Sequence, residues 1–247
     1  ARSLALECPA TWQRMLAQPG ARVLMLGTPN GGSYAPMQVL SGDDTFGNLL
    51  AAFGSPLRDR HARDLMAAMP GFIQLQADLI SGTDPAHRLD QEANWRRLAE
   101  DDYAHTQQLN WWHRSAGEAM NAAYRWGVPP QAVLDAAVAL RRRLDAQRAQ
   151  DLPSFADRIV LVVGQAKATP VGYDDSAPEG FVYLESGDGD GRVARASALL
   201  PGVPTWSVDA EHGSLPSTTG AFDAYVELLA SGTTARLERV EATRGTL

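Results

Sequence analysis

The sequence predicts an α/β fold that combines a partial parallel sheet with a large helical insertion. Three observations carry that reading. Short apolar runs bounded by glycine, proline or turn residues, at 22–26, 158–163 and 204–208, fit buried strands better than helices. Between the first two runs, from Tyr34 to Gln150, the apolar residues recur mainly at helical spacing. A glycine-rich acidic turn and a histidine follow the later strands, on the side of an open sheet where α/β folds bind their ligands.

Taken in order, residues 1–7 read as a helix with no Ser, Asp or Asn cap ahead of it, so the chain opens within an element already under way. The run Arg22-Val-Leu-Met-Leu is a central strand closed by Gly27-Thr28-Pro29. Helices are expected over 46–53, 62–68, 91–100, 107–124 and 131–150. The last is the clearest: Pro129-Pro130 opens it, and Val133, Leu134, Ala137, Val138, Leu140 and Leu144 form one stripe. Strands resume at 158–163, 181–184 and 204–208, and a final helix at 221–230 stops at Ser231-Gly232. The domain division follows: core at 1–33, a helical cap or lid at 34–150, core at 151–232, and a polar tail or linker at 233–247. No internal repeat is visible.

Composition bounds the function. A chain of 247 residues with 45% hydrophobic content can bury a sizeable core, and a formal charge of -7 gives no electrostatic footprint for nucleic acid. No apolar run reaches the ~20 residues needed to span a bilayer, so no membrane span is expected. The single cysteine, Cys8, excludes an internal disulfide framework; it reads as a small buried hydrophobe in a cytoplasmic chain.

The chemistry concentrates near the end. Gly187-Asp-Gly-Asp-Gly-Arg-Val193 is followed by Glu211-His212-Gly213, an acid and then a base. A hydroxyl nucleophile needs an imidazole to remove its proton, and that imidazole needs a carboxylate on its other nitrogen to fix the tautomer and stabilise the imidazolium. Singly, such a turn is an Asx-rich loop and such a histidine a surface residue; their joint order carries the reading. A calcium loop is excluded because Arg192 stands where a third oxygen ligand is required. Asp101, Asp102, His105 and His113 complete no coordination sphere and read as polar surface, so no metal and no cofactor are expected.

Together with Gly27-Thr-Pro-Asn-Gly-Gly-Ser33 after the first strand, these motifs resemble bacterial α/β-hydrolases related to lecithin:cholesterol acyltransferase and lysosomal phospholipase. The resemblance runs through most of the chain, in order, and implies the C-terminal portion of a hydrolase sheet with a helical cap. It maps the triad acid onto Asp190 and the base onto His212, with Asp188 as a local turn-former. The chain departs from that pattern at Arg192, where Thr is usual, and at Ala194, where Pro or Asn is usual. The implied substrate is an acyl ester or lipid-like small molecule.

No Gly-x-Ser-x-Gly elbow occurs from Ala1 to Leu247. The nucleophile and both oxyanion donors are therefore expected on a hydrolase segment upstream of Ala1, and this stretch alone is expected to be inactive and prone to self-association through its open sheet edge. Ser33, within Gly31-Gly32-Ser33-Tyr34-Ala35, is the rival nucleophile. Five residues separate it from Gly27, whereas an elbow serine directly follows its strand, so it reads as the cap of a helix beginning near Tyr34. In the cap, Trp95, Trp126, Met66, Met69, Phe72 and Ile73 read mostly as core. The Trp111-Trp112 pair is the best candidate for facing substrate, since adjacent helical positions do not both point inward. A noncatalytic hydrolase-like module that binds an apolar ligand or a partner within a larger multidomain protein is the alternative; an upstream elbow without Ser would favour it.

Overall fold

A computed structural model describes residues 1–43, 56–81, 84–109, 126–178 and 180–240. In chain order its elements begin with α1 (Arg2–Glu7), α2 (Pro9–Leu16), β1 (Val23–Leu26), α3 (Ala35–Ser41), α4 (Pro56–Ala67), α5 (Pro70–Ile73), α6 (Glu92–Leu109) and α7 (Gln131–Gln150). They continue with β2 (Ile159–Val163), β3 (Thr169–Asp174), β4 (Val182–Ser186), α8 (Arg195–Ala198), β5 (Thr205–Ser207), α9 (Phe222–Ser231) and β6 (Glu238–Arg239). The class is α/β with a mostly parallel sheet. The chain divides into two compact units, 1–31 with 142–169 and 185–247, and 32–141 with 170–184.

The first unit holds a sheet of order β1-β2-β5-β6, parallel across the first three strands and antiparallel at the last. Alternation along the strands separates two apolar layers. Val23, Met25, Ile159 and Leu161 pack with Trp12, Leu16 and Leu152. Leu24, Leu26, Val160 and Val162 instead join Trp206, Leu215, Tyr225 and Leu228. All five residues of β2 are buried, which accounts for a continuous apolar run instead of alternation in the sequence. Arg2, itself buried, donates to Gln147 Oε1 at 3.1 Å, to the Asn30 carbonyl at 3.1 Å and to the Leu144 carbonyl, tying α1 to the end of α7.

Among its described residues the second unit is mainly helical outside 170–184, where β3 and β4 pair as a two-stranded sheet. Its core gathers Met37, Leu40, Ile73, Leu89, Trp95, Leu98, Trp126 and Leu134. Two helices cap one another there: Gln131 Oε1 accepts from the Glu92 amide and Glu92 Oε2 from the Gln131 amide, both at 2.9 Å. Trp95, Trp126 and Ile73 are buried and Met66 and Phe72 pack against the same core, whereas Met69 is exposed. No helix among the described residues is long and apolar enough to cross a membrane.

Several local expectations change. Cys8 is exposed, because it is the non-helical junction where Pro9 starts a second helix and it joins neither core layer. The tail is not wholly free: Ser207 and Trp206 pair with Glu238 and Arg239, and the Arg239 guanidinium lies 5.8 Å from the centroid of a Trp206 ring. The expected helix at 46–53, and most of the one at 107–124 with Trp111, Trp112 and His113, lie outside the described residues.

Candidate active site

The strand ends of the first unit bring Asp190 and His212 together. His212 Nδ1 lies 2.9 Å from Asp190 Oδ2. The other carboxylate oxygen, Oδ1, accepts backbone N–H bonds from Val193 at 2.7 Å and Arg192 at 3.0 Å. Asp190 is 2% exposed, so its charge is held by directed donors and not by water. An ionised carboxylate only accepts, so with Asp190 as carboxylate Oδ2 takes an Nδ1 hydrogen from His212, and in that tautomer a neutral ring carries its lone pair on Nε2. Among the described residues Nε2 has no hydrogen-bond partner, and the His212 side chain is 37% exposed. The pair can therefore orient an imidazole and accept a proton at Nε2.

Backbone bonds lock the two loops together. The His212 amide donates to the Asp190 carbonyl at 2.8 Å, and the Asp190 amide to the Val193 carbonyl at 3.2 Å. Beyond His212, the short 3₁₀ turn His212–Ser217 is anchored from α9 by the Tyr225 hydroxyl, which donates to the Leu215 carbonyl at 2.9 Å. Burial raises the Tyr225 phenol above its ordinary value, so it stays a donor.

Two glycines make room for this packing. Gly27, directly after β1, has φ +53; a β-carbon there would sit 2.8 Å from Asp190 Oδ2, 3.0 Å from His212 Nδ1 and 2.7 Å from Leu215 Cδ1. Gly164, directly after β2, would place one 2.9 Å from the Asp190 β-carbon. The backbone at both strand ends therefore approaches the acid as closely as atoms allow. Sequence reasoning used Gly27 as a strand stop and as the start of the Gly27–Ser33 segment, without seeing its closeness to Asp190, and passed over Gly164. The available signal was a glycine immediately following each of two apolar parallel strands.

The remaining candidates are placed separately. Asp188, two residues from the acid, turns away to Arg195 at 2.5 Å. Ser33 belongs to the second unit; its Oγ accepts the Ala35 amide at 3.0 Å, just before α3 begins. Its own amide donates to the Leu75 carbonyl at 2.8 Å. Asp102 accepts the Trp126 indole N–H at 2.8 Å, and its pKa is raised by burial. No group of three His, Cys, Asp or Glu side chains among the described residues is arranged to hold a metal ion. Trp111 and Trp112 lie outside the described residues. A scan against protein-family models, a search of curated proteins and a search of solved structures each found no match to this chain.

Proposed function

We propose that this chain carries the acid and base of a serine hydrolase of the esterase, lipase or acyltransferase type, with the nucleophilic serine supplied by polypeptide preceding Ala1. The observation that carries this reading is the Asp190–His212 pair: a buried carboxylate, fixed by two amide donors, bonded to one nitrogen of an imidazole whose other nitrogen is unpartnered among the described residues. The position of the pair, packed against Gly27 and Gly164 directly after the parallel strands β1 and β2, supports it.

In this mechanism His212 Nε2 removes the serine hydroxyl proton as oxygen attacks the acyl carbonyl. Asp190 holds the tautomer and stabilises the imidazolium. The proton then passes to the departing alkoxide, and water or an alcohol, deprotonated by the same nitrogen, releases the acyl group. The oxyanion donors come from the same preceding segment as the nucleophile. The substrate of this reaction is an acyl ester or lipid-like small molecule.

The test is turnover of a p-nitrophenyl acyl ester by the full-length polypeptide containing this sequence. Asp190→Asn should lower kcat by about 10⁴ through the wrong histidine tautomer while folding is retained. Turnover equal to that of the parent chain would refute the assignment, and a parent chain without turnover would favour a binding module.

A further inference from the structure

Asp190 is fixed by more than the bonds to its carboxylate. The peptide unit joining Asp190 to Gly191 is held at both ends. Its carbonyl accepts the His212 amide at 2.8 Å, and its N–H, carried by Gly191, donates to Thr169 Oγ1 at 2.9 Å. Thr169 has no exposed surface and opens β3, outside every sequence motif considered above. Its side chain also lies where a β-carbon on Gly189 would stand, 2.6 Å from Oγ1 and 2.7 Å from Cγ2. On the other side, the Gly189 carbonyl accepts the Ala166 amide at 2.7 Å.

Gly191 has φ +91 and no side chain, so sterics alone do not stop the 190–191 peptide from turning. Rotation of that peptide would swing the Asp190 carbonyl off His212 and carry Oδ2 out of line with Nδ1. The hydrogen bond that Thr169 Oγ1 accepts from the Gly191 N–H opposes it at one end of the peptide, as the His212 amide does at the other. Resting on the reading of Asp190 and His212 as an acid–base pair, we propose that Thr169 is a positioning residue for the acid, acting through the Gly191 amide.

Thr169→Val keeps the shape and removes the acceptor, whereas Thr169→Ser keeps the acceptor. The readout is the Nδ1–H proton resonance of His212 in ¹⁵N-histidine-labelled full-length polypeptide, assigned by its absence in His212→Gln. The resonance should persist in the parent chain and in Thr169→Ser and be lost to solvent exchange in Thr169→Val, with the amide signals of Leu161 and Trp206 unmoved in all three. An unchanged resonance in Thr169→Val overturns the proposal. Should that variant not fold, amide exchange in the parent chain decides: the Gly191 N–H must be as protected as the Val193 N–H, and rapid exchange at Gly191 overturns the proposal. Both readouts report on the pair whether or not the polypeptide turns over an ester, so failure here is distinct from failure of the functional reading.

Discussion

Two histidine–aspartate pairs in this chain have the same nitrogen-to-oxygen distance. His212 Nδ1 lies 2.9 Å from Asp190 in the first unit, and His87 Nδ1 lies 2.9 Å from Asp84 in the second. Around the first, the carboxylate is 3% exposed and receives two backbone amides. Around the second, the Asp84 carboxylate is 59% exposed, and the other nitrogen of His87 faces Asp175 at 3.2 Å. Arg97 holds that second carboxylate from α6, at 2.9 Å. His87 thus has a carboxylate on each nitrogen and serves best as a cation. His212 has one oriented nitrogen and one without a hydrogen-bond partner among the described residues. Distance alone does not make a base; the difference lies in which atoms of the ring are left over.

Removing each imidazole should separate the two roles most sharply. His212→Ala in the full-length polypeptide should cost at least about 10³-fold in kcat with an acyl ester, while His87→Ala should leave turnover intact. A comparable loss from both would erase the distinction.

The next largest effect should come from Gly27→Ala, where a β-carbon meets Asp190 Oδ2 and His212 Nδ1 on a backbone of φ +53. Displacing the pair should lower kcat by about 100-fold, and the strained backbone should cost about 1–3 kcal/mol in a denaturant melt. Gly220→Ala, with open space at the same test, should alter neither. Tyr225→Phe removes the donor to the Leu215 carbonyl and should cost about 1 kcal/mol of stability.

The smallest effect belongs to His87, and it carries a sign. Its pKa is raised above the ordinary 6.5 by the hydrogen bond to Asp84 and then by that to Asp175. A raised folded-state value means the contribution is fully present below pH 6.5 and fades as pH climbs through the folded value. Because the ring is half exposed, solvent screening limits it to about 0.5 kcal/mol. Melts of His87→Gln and the parent chain should therefore differ in mild acid and converge in alkaline buffer; divergence in the alkaline direction would mean the ring is not held as a cation.

Much of the sheet was legible because β1 and β2 are apolar runs stopped by glycine, a local signal. β3 was not, since Thr169-Pro-Val-Gly-Tyr-Asp174 mixes strand formers with proline and glycine and is held by pairing with β4. β6 has two charged residues and no pattern at all; backbone bonds to β5 define it. In the site, the preference for Asp190 over Asp188 came from the resemblance, in whose register Gly191 and Val193 follow the acid. Gly164, Thr169 and Tyr225 were invisible because their partners, Asp190, Gly191 and Leu215, lie 10 to 26 residues away in sequence and meet them only after folding.

The central claim is that Asp190 and His212 activate a serine carried by preceding polypeptide. Labelling the full-length polypeptide with a fluorophosphonate and mapping the modified peptide tests it most directly. The expected result is a single adduct on a serine N-terminal to Ala1 that disappears in His212→Ala. An adduct on Ser33, or none on a folded chain with the pair intact, would contradict it.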